Sequence, residues 1–333
     1  MDFFVICGVP LQLKGDSSPA RLAIEEFFRL CLSKPDEKAI RLSVQELPDE
    51  KSLLAYVPVW LAELLPHWHD DKEVSLVYGE TKERAALAVN QKAVYVAWLS
   101  ATSDRLCYCA LKKTREKTPL SVSSLLVPLL REIFADRGVA LIHAAALQTP
   151  QGKGVLLCAE SGGGKTTTSL SLIRNGARLL ADDLSFLSTH KGRVQLHGLP
   201  EGLNLTQETI DFFPEVGVAL ANTGVSANIS SKKFSLAASQ IYGDACMQAS
   251  CPLDAICFVR VDPEGPSLEP MPIHLAFGKL LNSHTFASKQ RPVQKTVAVL
   301  GQALQEVPVY VLNTGHKPDK LGPWLMAQLA ALP

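Results

Sequence analysis

One run of residues, Ala159-Glu160-Ser161-Gly162-Gly163-Gly164-Lys165-Thr166, restricts the folds open to this chain more than any other stretch. Three successive glycines let the backbone bend tightly, so that several N–H groups can converge on one anion. Lys165 is placed to reach distal phosphates, and the Thr166 hydroxyl to ligate Mg²⁺. Residues 154–158 read as a buried strand leading in. Residues 167–174 read as a helix whose N-terminus faces the loop and favours bound phosphate. Glu160, Ser161, Gly162, Gly163, Gly164, Lys165, Thr166 and Thr167 are therefore the expected nucleotide-binding residues, with a purely structural glycine turn as the alternative. The usual motif opens on glycine, and Ala159 stands at that position here.

A second feature adds chemistry to binding. After Arg174-Asn175-Gly176, a basic last turn with a glycine stop, residues 177–181 read as a strand ending in Asp182-Asp183. A helix of about ten residues spans about 15 Å, enough to cross a sheet. A right-handed βαβ crossover would then return the acidic pair to the side of the loop. Neighbouring strand residues face opposite ways, so one aspartate is expected at the phosphates and the other on water, metal or a nearby loop. A plain polar strand end is the alternative. Phosphoryl transfer needs neutralisation of spreading negative charge and benefits from a carboxylate near the attacking hydroxyl. A second cation is expected as well, with Lys232, Lys233, Arg260 and Arg291 as unranked candidates.

Charge and composition narrow the partners. Lys plus Arg and Asp plus Glu each total 33, so the net charge is zero and no general field steers nucleic acid. The longest apolar stretches, 125–130 and 139–147, are far shorter than the roughly twenty residues that span a bilayer. The N-terminal residues lack a basic region and a small-residue cleavage site, so no targeting segment is expected. Eight cysteines without a paired C-x-x-C arrangement suit reduced thiols in a cytoplasmic protein. His67-Trp68-His69-Asp70 reads as a polar connector, since two imidazoles without further ligands make a poor metal site.

The length of 333 residues favours two domains. The first third suggests an α+β unit. Strands are expected at 5–13, 41–44, 73–78, 93–98 and 105–111, an amphipathic helix at 20–33, and a brief helix at 60–65. Sequential short strands point to an antiparallel sheet that selects substrate, supports assembly or merely stabilises. The join falls near 112–119. A helix over 120–134 follows, with Pro128 kinking it or marking a late start. Strands are expected at 139–147, 184–188, 255–261, 296–299 and 309–312, and a closing helix at 321–332.

The segment 154–183, GVLLCAESGGGKTTTSLSLIRNGARLLADD, resembles the nucleotide-binding segment of the HPr serine kinase/phosphorylase family. The match extends upstream to His143 in LIHAAAL. More loosely, Lys232-Lys233-Phe234, the stretch 252–256 and His284-Thr285-Phe286 look like features of kinase-like relatives. The resemblance implies an N-terminal α+β domain (1–117) followed by an HPr-kinase-like P-loop domain (118–333) of the phosphoenolpyruvate carboxykinase type. It implies ATP and Mg²⁺ as cofactors and a homo-oligomer, as in the family's true members, which also run the reaction backwards with inorganic phosphate. In those roles Lys165 holds the β/γ-phosphates, Thr166 and Asp183 serve the metal, Asp182 is the general base, and His143 orients Asp182 or a phosphate oxygen.

The reading that follows is an ATP- and Mg²⁺-dependent kinase acting on a hydroxyl, foremost a serine of a protein or peptide, with no nucleic-acid or membrane partner. A small-molecule hydroxyl kinase and a non-catalytic nucleotide-binding regulator or biosynthetic partner are the alternatives. A decarboxylating carboxykinase is disfavoured, because its metal- and carboxylate-binding clusters are missing from the flanking sequence.

Overall fold

The chain opens with a tight hairpin where one strand over 5–13 was expected. In the computed structural model, which describes residues 2–15, 18–67, 75–79, 83–89, 93–112, 122–160, 162–199, 202–224, 233–283 and 294–332, β1 (Asp2–Ile6) pairs antiparallel with β2 (Val9–Lys14). Cys7 and Gly8 between them have φ of 53° and 76°, the two left-handed positions that a primed hairpin turn requires. Apolar residues on both flanks hide such a turn from a periodicity reading.

Two units divide the chain, Met1–Asp136 and Arg137–Pro333. The first continues through α1 (Pro19–Phe28), β3 (Ile40–Leu47), α2 (Glu50–Tyr56), α3 (Val59–Leu64), β4 (Ser75–Tyr78), β5 (Arg84–Val89), β6 (Ala93–Leu99), β7 (Arg105–Lys112) and α4 (Val122–Asp136). Its sheet runs β1-β2-β3-β7-β6-β5-β4. The expected antiparallel sheet is in fact mixed, because β2 pairs parallel with β3 and β3 parallel with β7. Helices α1, α2 and α3 make the return paths that parallel pairing needs. Residues 94–99 are buried in succession, so both faces of β6 are covered. Helix α4 carries the predicted apolar stripe, with Leu125, Leu126, Leu129, Leu130 and Ile133 all buried, and it packs on β5 and β6. The unit therefore ends after α4, later in the chain than the join read from charge at 112–119, whose residues 113–119 lie outside those described.

The second unit comprises β8 (Ala140–Gln148), β9 (Gly154–Cys158), α5 (Lys165–Arg174), β10 (Arg178–Ala181), β11 (Leu184–His190), β12 (Arg193–Gly198), β13 (Leu203–Leu205), α6 (Gln207–Phe212), α7 (Pro214–Thr223), β14 (Phe234–Leu236), α8 (Ala238–Tyr242), β15 (Ser250–Arg260), β16 (Ser267–Pro270), α9 (Ile273–Ser283), α10 (Gln294–Glu306), β17 (Val309–Asn313) and α11 (Pro318–Ala330). Five strands close a circuit, since β8 pairs with β11, β11 with β12, β12 with β15, β15 with β9, and β9 with β8. Ala144, Leu156, Leu196 and Ile256 belong to its core, which Leu280, Leu300 and Leu304 of α9 and α10 complete. β12 closes in on the backbone before Asp182. A β-carbon at Gly198 would lie 1.8 Å from the Leu180 carbonyl oxygen, so only glycine fits that approach.

Two expectations change here. Residues 296–299 form part of helix α10, not a strand: Thr296, Val299, Leu300, Ala303 and Leu304 are buried at helical spacing, a period that four residues alone cannot show. The crossover β9–α5–β10 does not join neighbours either. Both strands run antiparallel to β8, which lies between them, so the crossover spans one strand. The chain has a mixed α/β architecture with several sheets, and among the described residues no helix is long and apolar enough to cross a membrane.

Candidate functional site

The glycine loop takes its shape from backbone angles that other residues avoid. Gly162 and Gly164 have φ of 79° and 91°, and Gly164 caps α5 with no side chain bonded over the helix end. No acidic residue occupies the first turn of α5. Its positive end is thus left to a ligand. Ala159 does not share the positive φ of those glycines, which explains how a β-carbon is accepted where the motif usually has glycine. Gly163 has no such freedom, because a β-carbon there would lie 2.9 Å from that of Ala159.

Lys165 is buried, with Nζ donating to the Ala159 carbonyl oxygen at 3.2 Å and lying 3.3 Å from His143 Nε2. The same His143 nitrogen is 2.6 Å from Asp183 Oδ1. Strand β8 supplies His143, and the bend between β10 and β11 supplies Asp183, next to Leu184, which pairs with His143 across the ladder. Asp182 turns away from that pair. Its Oδ2 accepts from the Thr166 hydroxyl at 2.8 Å and from the Asn204 N–H at 3.3 Å, while Oδ1 is buried without a hydrogen-bond partner. Thr167 and Thr209 share a hydroxyl contact at 3.1 Å, tying α5 to the start of α6.

A cavity of about 510 Å³ unites these groups: His143, Lys165, Thr166, Thr167 and Asp183 line it with Glu160 and the three glycines, but Asp182 does not. Of the four candidate second cations, Lys233 lines the cavity. Arg260 is not among its lining residues and bonds instead to Asn313 through Nε and to Asp262 at 3.6 Å. Lys232, Arg291, Ser161 and the stretch 284–286 lie outside the described residues, as do Trp68, His69 and Asp70. The sequence reading missed Asn204, Thr206, Thr209, Val261 and His316, all of which line the cavity. Each stands just beyond or within a strand or helix remote from the motif, so no local spacing links them to it.

The donor set at Thr166 and Asp182 fits Mg²⁺, which favours hard oxygen ligands and is commonly held by one or two carboxylates together with substrate phosphates. Thr166 donates its proton to Asp182 and so keeps oxygen lone pairs for a cation. Among the described residues no group of three or more His, Cys, Asp or Glu side chains could hold a metal alone, so phosphate oxygens would have to complete the coordination.

Burial pushes the Asp182 carboxyl up to about 6, although the Thr166 hydroxyl and Asn204 amide favour its ionised form. A raised folded-state value means that the carboxyl's contribution to stability is fully present below about pH 4 and lost as the pH rises through about 6. Asp182→Asn should accordingly flatten the stability profile of the metal-free protein between these limits. Denaturation curves of parent and variant that stay parallel across that range would contradict this.

No family model and no curated protein matches the chain. Among solved structures, a slight likeness relates it to the Hpr(Ser) kinase/phosphatase from Coxiella burnetii, at 14% sequence identity and a TM-score of 0.31. That likeness covers 57% of this chain and 93% of the other.

Proposed function

We propose that this protein transfers the terminal phosphoryl group of Mg²⁺-bound ATP to a hydroxyl, with a protein or peptide serine as the acceptor class. One observation carries the reading: the glycine loop, Lys165 and Thr166 line the same cavity as the His143–Asp183 pair. Phosphate binding and proton removal thereby have separate groups within one space. The resemblance of residues 143–183 to the HPr serine kinase/phosphorylase family supports it.

The positions of the two aspartates favour a division of labour opposite to the one expected from the sequence. Asp183 faces the cavity and is proposed to take the acceptor's proton, held by an Nε2–H donated from His143. Asp182, buried behind Thr166, is proposed to orient that hydroxyl and to serve the metal side. Bound Mg²⁺ would neutralise charge on the β- and γ-phosphate oxygens. Lys165 and the amides opening α5 would hold the same oxygens from the protein side. The acceptor oxygen forms its bond to phosphorus as the bridging P–O bond breaks, ADP leaves, and the proton rests on Asp183.

Lys165→Ala should weaken Mg-ATP binding by about ten- to hundredfold, the loss of a charge-assisted hydrogen bond of about 1.5–3 kcal/mol. Unchanged calorimetric affinity in a folded variant would count against the loop as the phosphate site. The activity itself is tested with γ-labelled ATP, cell lysate and metabolite pools, followed by mass spectrometry of the labelled product. Labelling no greater than with Lys165→Ala would sink the kinase reading.

A further inference from the structure

Helix α6 is fastened to the start of α5 by a short run of hydroxyls. Thr206 caps α6, its Oγ1 accepting from the Thr209 N–H at 3.2 Å. The Thr209 hydroxyl lies 3.0 Å from that of Thr206 and 3.1 Å from that of Thr167, the third residue of α5. The strand leading into α6 is held at the aspartates, where the Asn204 N–H donates to Asp182 Oδ2 at 3.3 Å. The far end of α5 is tied to the next helix: Arg174 donates to both carboxylate oxygens of Glu215 in α7, at 2.7 and 2.5 Å. The α6–α7 element is therefore fixed at both ends to the helix that carries Lys165 and Thr166.

At about 100° per residue, Glu208, Thr209 and Phe212 fall within one arc of α6. All three line the cavity. Thr209 is buried, Glu208 is exposed, and Phe212, one turn beyond Glu208, is half-buried. Glu208 is an unexpected neighbour for phosphate. Its carboxylate makes no ion pair or hydrogen bond with any described residue. A triphosphate carries no cationic group to meet it, and the two charges repel more strongly in a cavity than in open water. A carboxylate in the first turn favours its own helix end, but that role does not require the cavity. A cation brought by the other substrate does fit. Side chains four apart on a helix are neighbours, with β-carbons about 6 Å apart, so such a cation at Glu208 would also meet the Phe212 ring. That ring suits a guanidinium, an ammonium or the methylene stem behind either.

We infer that Glu208 and Phe212 form a subsite for a basic side chain, arginine or lysine, close in sequence to the acceptor serine. This deepens the phosphoryl-transfer reading above and rests on it. The test uses γ-labelled ATP, the full chain and three pools of serine peptides, whose flanking positions hold Arg and Lys, Gln, or Asp and Glu. The parent should label the basic pool about tenfold or more faster than the neutral pool, the scale of one charge-assisted hydrogen bond. Glu208→Gln should bring that ratio to within about twofold, and Glu208→Arg should favour the acidic pool. Calorimetric Mg-ATP affinity within about twofold of the parent shows both variants to be folded. Phe212→Leu should lower the ratio with Glu208 in place. Equal labelling of the pools by the parent, or a preference that persists in Glu208→Gln, would overturn the subsite. A higher Mg²⁺ requirement of Glu208→Gln on the neutral pool would put the carboxylate on the metal, and overturn it too. A parent that binds Mg-ATP but labels no pool would remove the subsite and the serine-peptide acceptor together. Failure of the parent to bind Mg-ATP would overturn the kinase reading itself.

Discussion

Asp183→Asn is expected to lower single-turnover phosphoryl transfer at saturating Mg-ATP by about 10²–10⁴, the usual loss when general-base assistance is removed. Its carboxylate oxygen sits 2.6 Å from His143 Nε2 in the cavity wall, whereas Asp182 is buried against Thr166. Mg-ATP affinity should change by less than about tenfold in this variant. Asp182→Asn should act differently, raising the Mg²⁺ concentration needed for half-maximal turnover. Transfer at the parent rate in Asp183→Asn, with an inactive Asp182→Asn, would return the base to Asp182. The same assay on His143→Ala separates an orienting role from a packing one, since only the former slows turnover in a protein of unchanged stability.

The second large effect concerns the first unit. Arg84 and Glu132 are 5% and 0% exposed, with Nε 3.2 Å from Oε2. Burial pushes the Glu132 carboxyl up, and the Arg84 and Arg131 guanidiniums oppose that shift. Arg84→Met should cost about 3–5 kcal/mol of folding free energy at pH 7.5, because it removes one partner and leaves a buried carboxylate. The deficit should shrink as the pH falls, since a carboxyl with a raised folded-state value favours the native protein when protonated. Pairing the change with Glu132→Leu should restore most of the loss. A cost below about 1 kcal/mol by chemical denaturation would show that water or Arg131 alone suffices for Glu132.

What the sequence could reveal follows from how local each determinant is. The strand, glycine loop and helix of residues 154–174 are contiguous, and their order was legible because each imposes its own backbone requirement. His143 was legible only through resemblance. Which of the two aspartates faces the cavity was not, because Asp182-Asp183 form a bend between β10 and β11 and strand alternation does not say which side each takes. A bend aims side chains by its own angles, and here one carboxylate is tucked under Thr166 while the other reaches His143. Asn204, Thr209 and His316 come from segments that only strand pairing and helix docking bring to the loop. The docking of α11 on α5 depends on Gly322, where a β-carbon would lie 2.3 Å from the Ser171 carbonyl oxygen, a requirement invisible without the partner helix.

The closed run of strands through β8, β11, β12, β15 and β9 bears on how this protein could be retuned. A ring of hydrogen-bonded strands has no free border along which one member can slide, so the spacing between the glycine loop and the bend at Asp183 is fixed by the frame. The stretches from Leu203 to Phe212 and from Thr314 to Pro318 lie outside the ring, yet both contribute to the cavity wall. Substitutions in them can reshape what enters the cavity while the frame that carries the glycine loop keeps its dimensions. A change in what the cavity admits therefore asks for new rim residues, not a new scaffold.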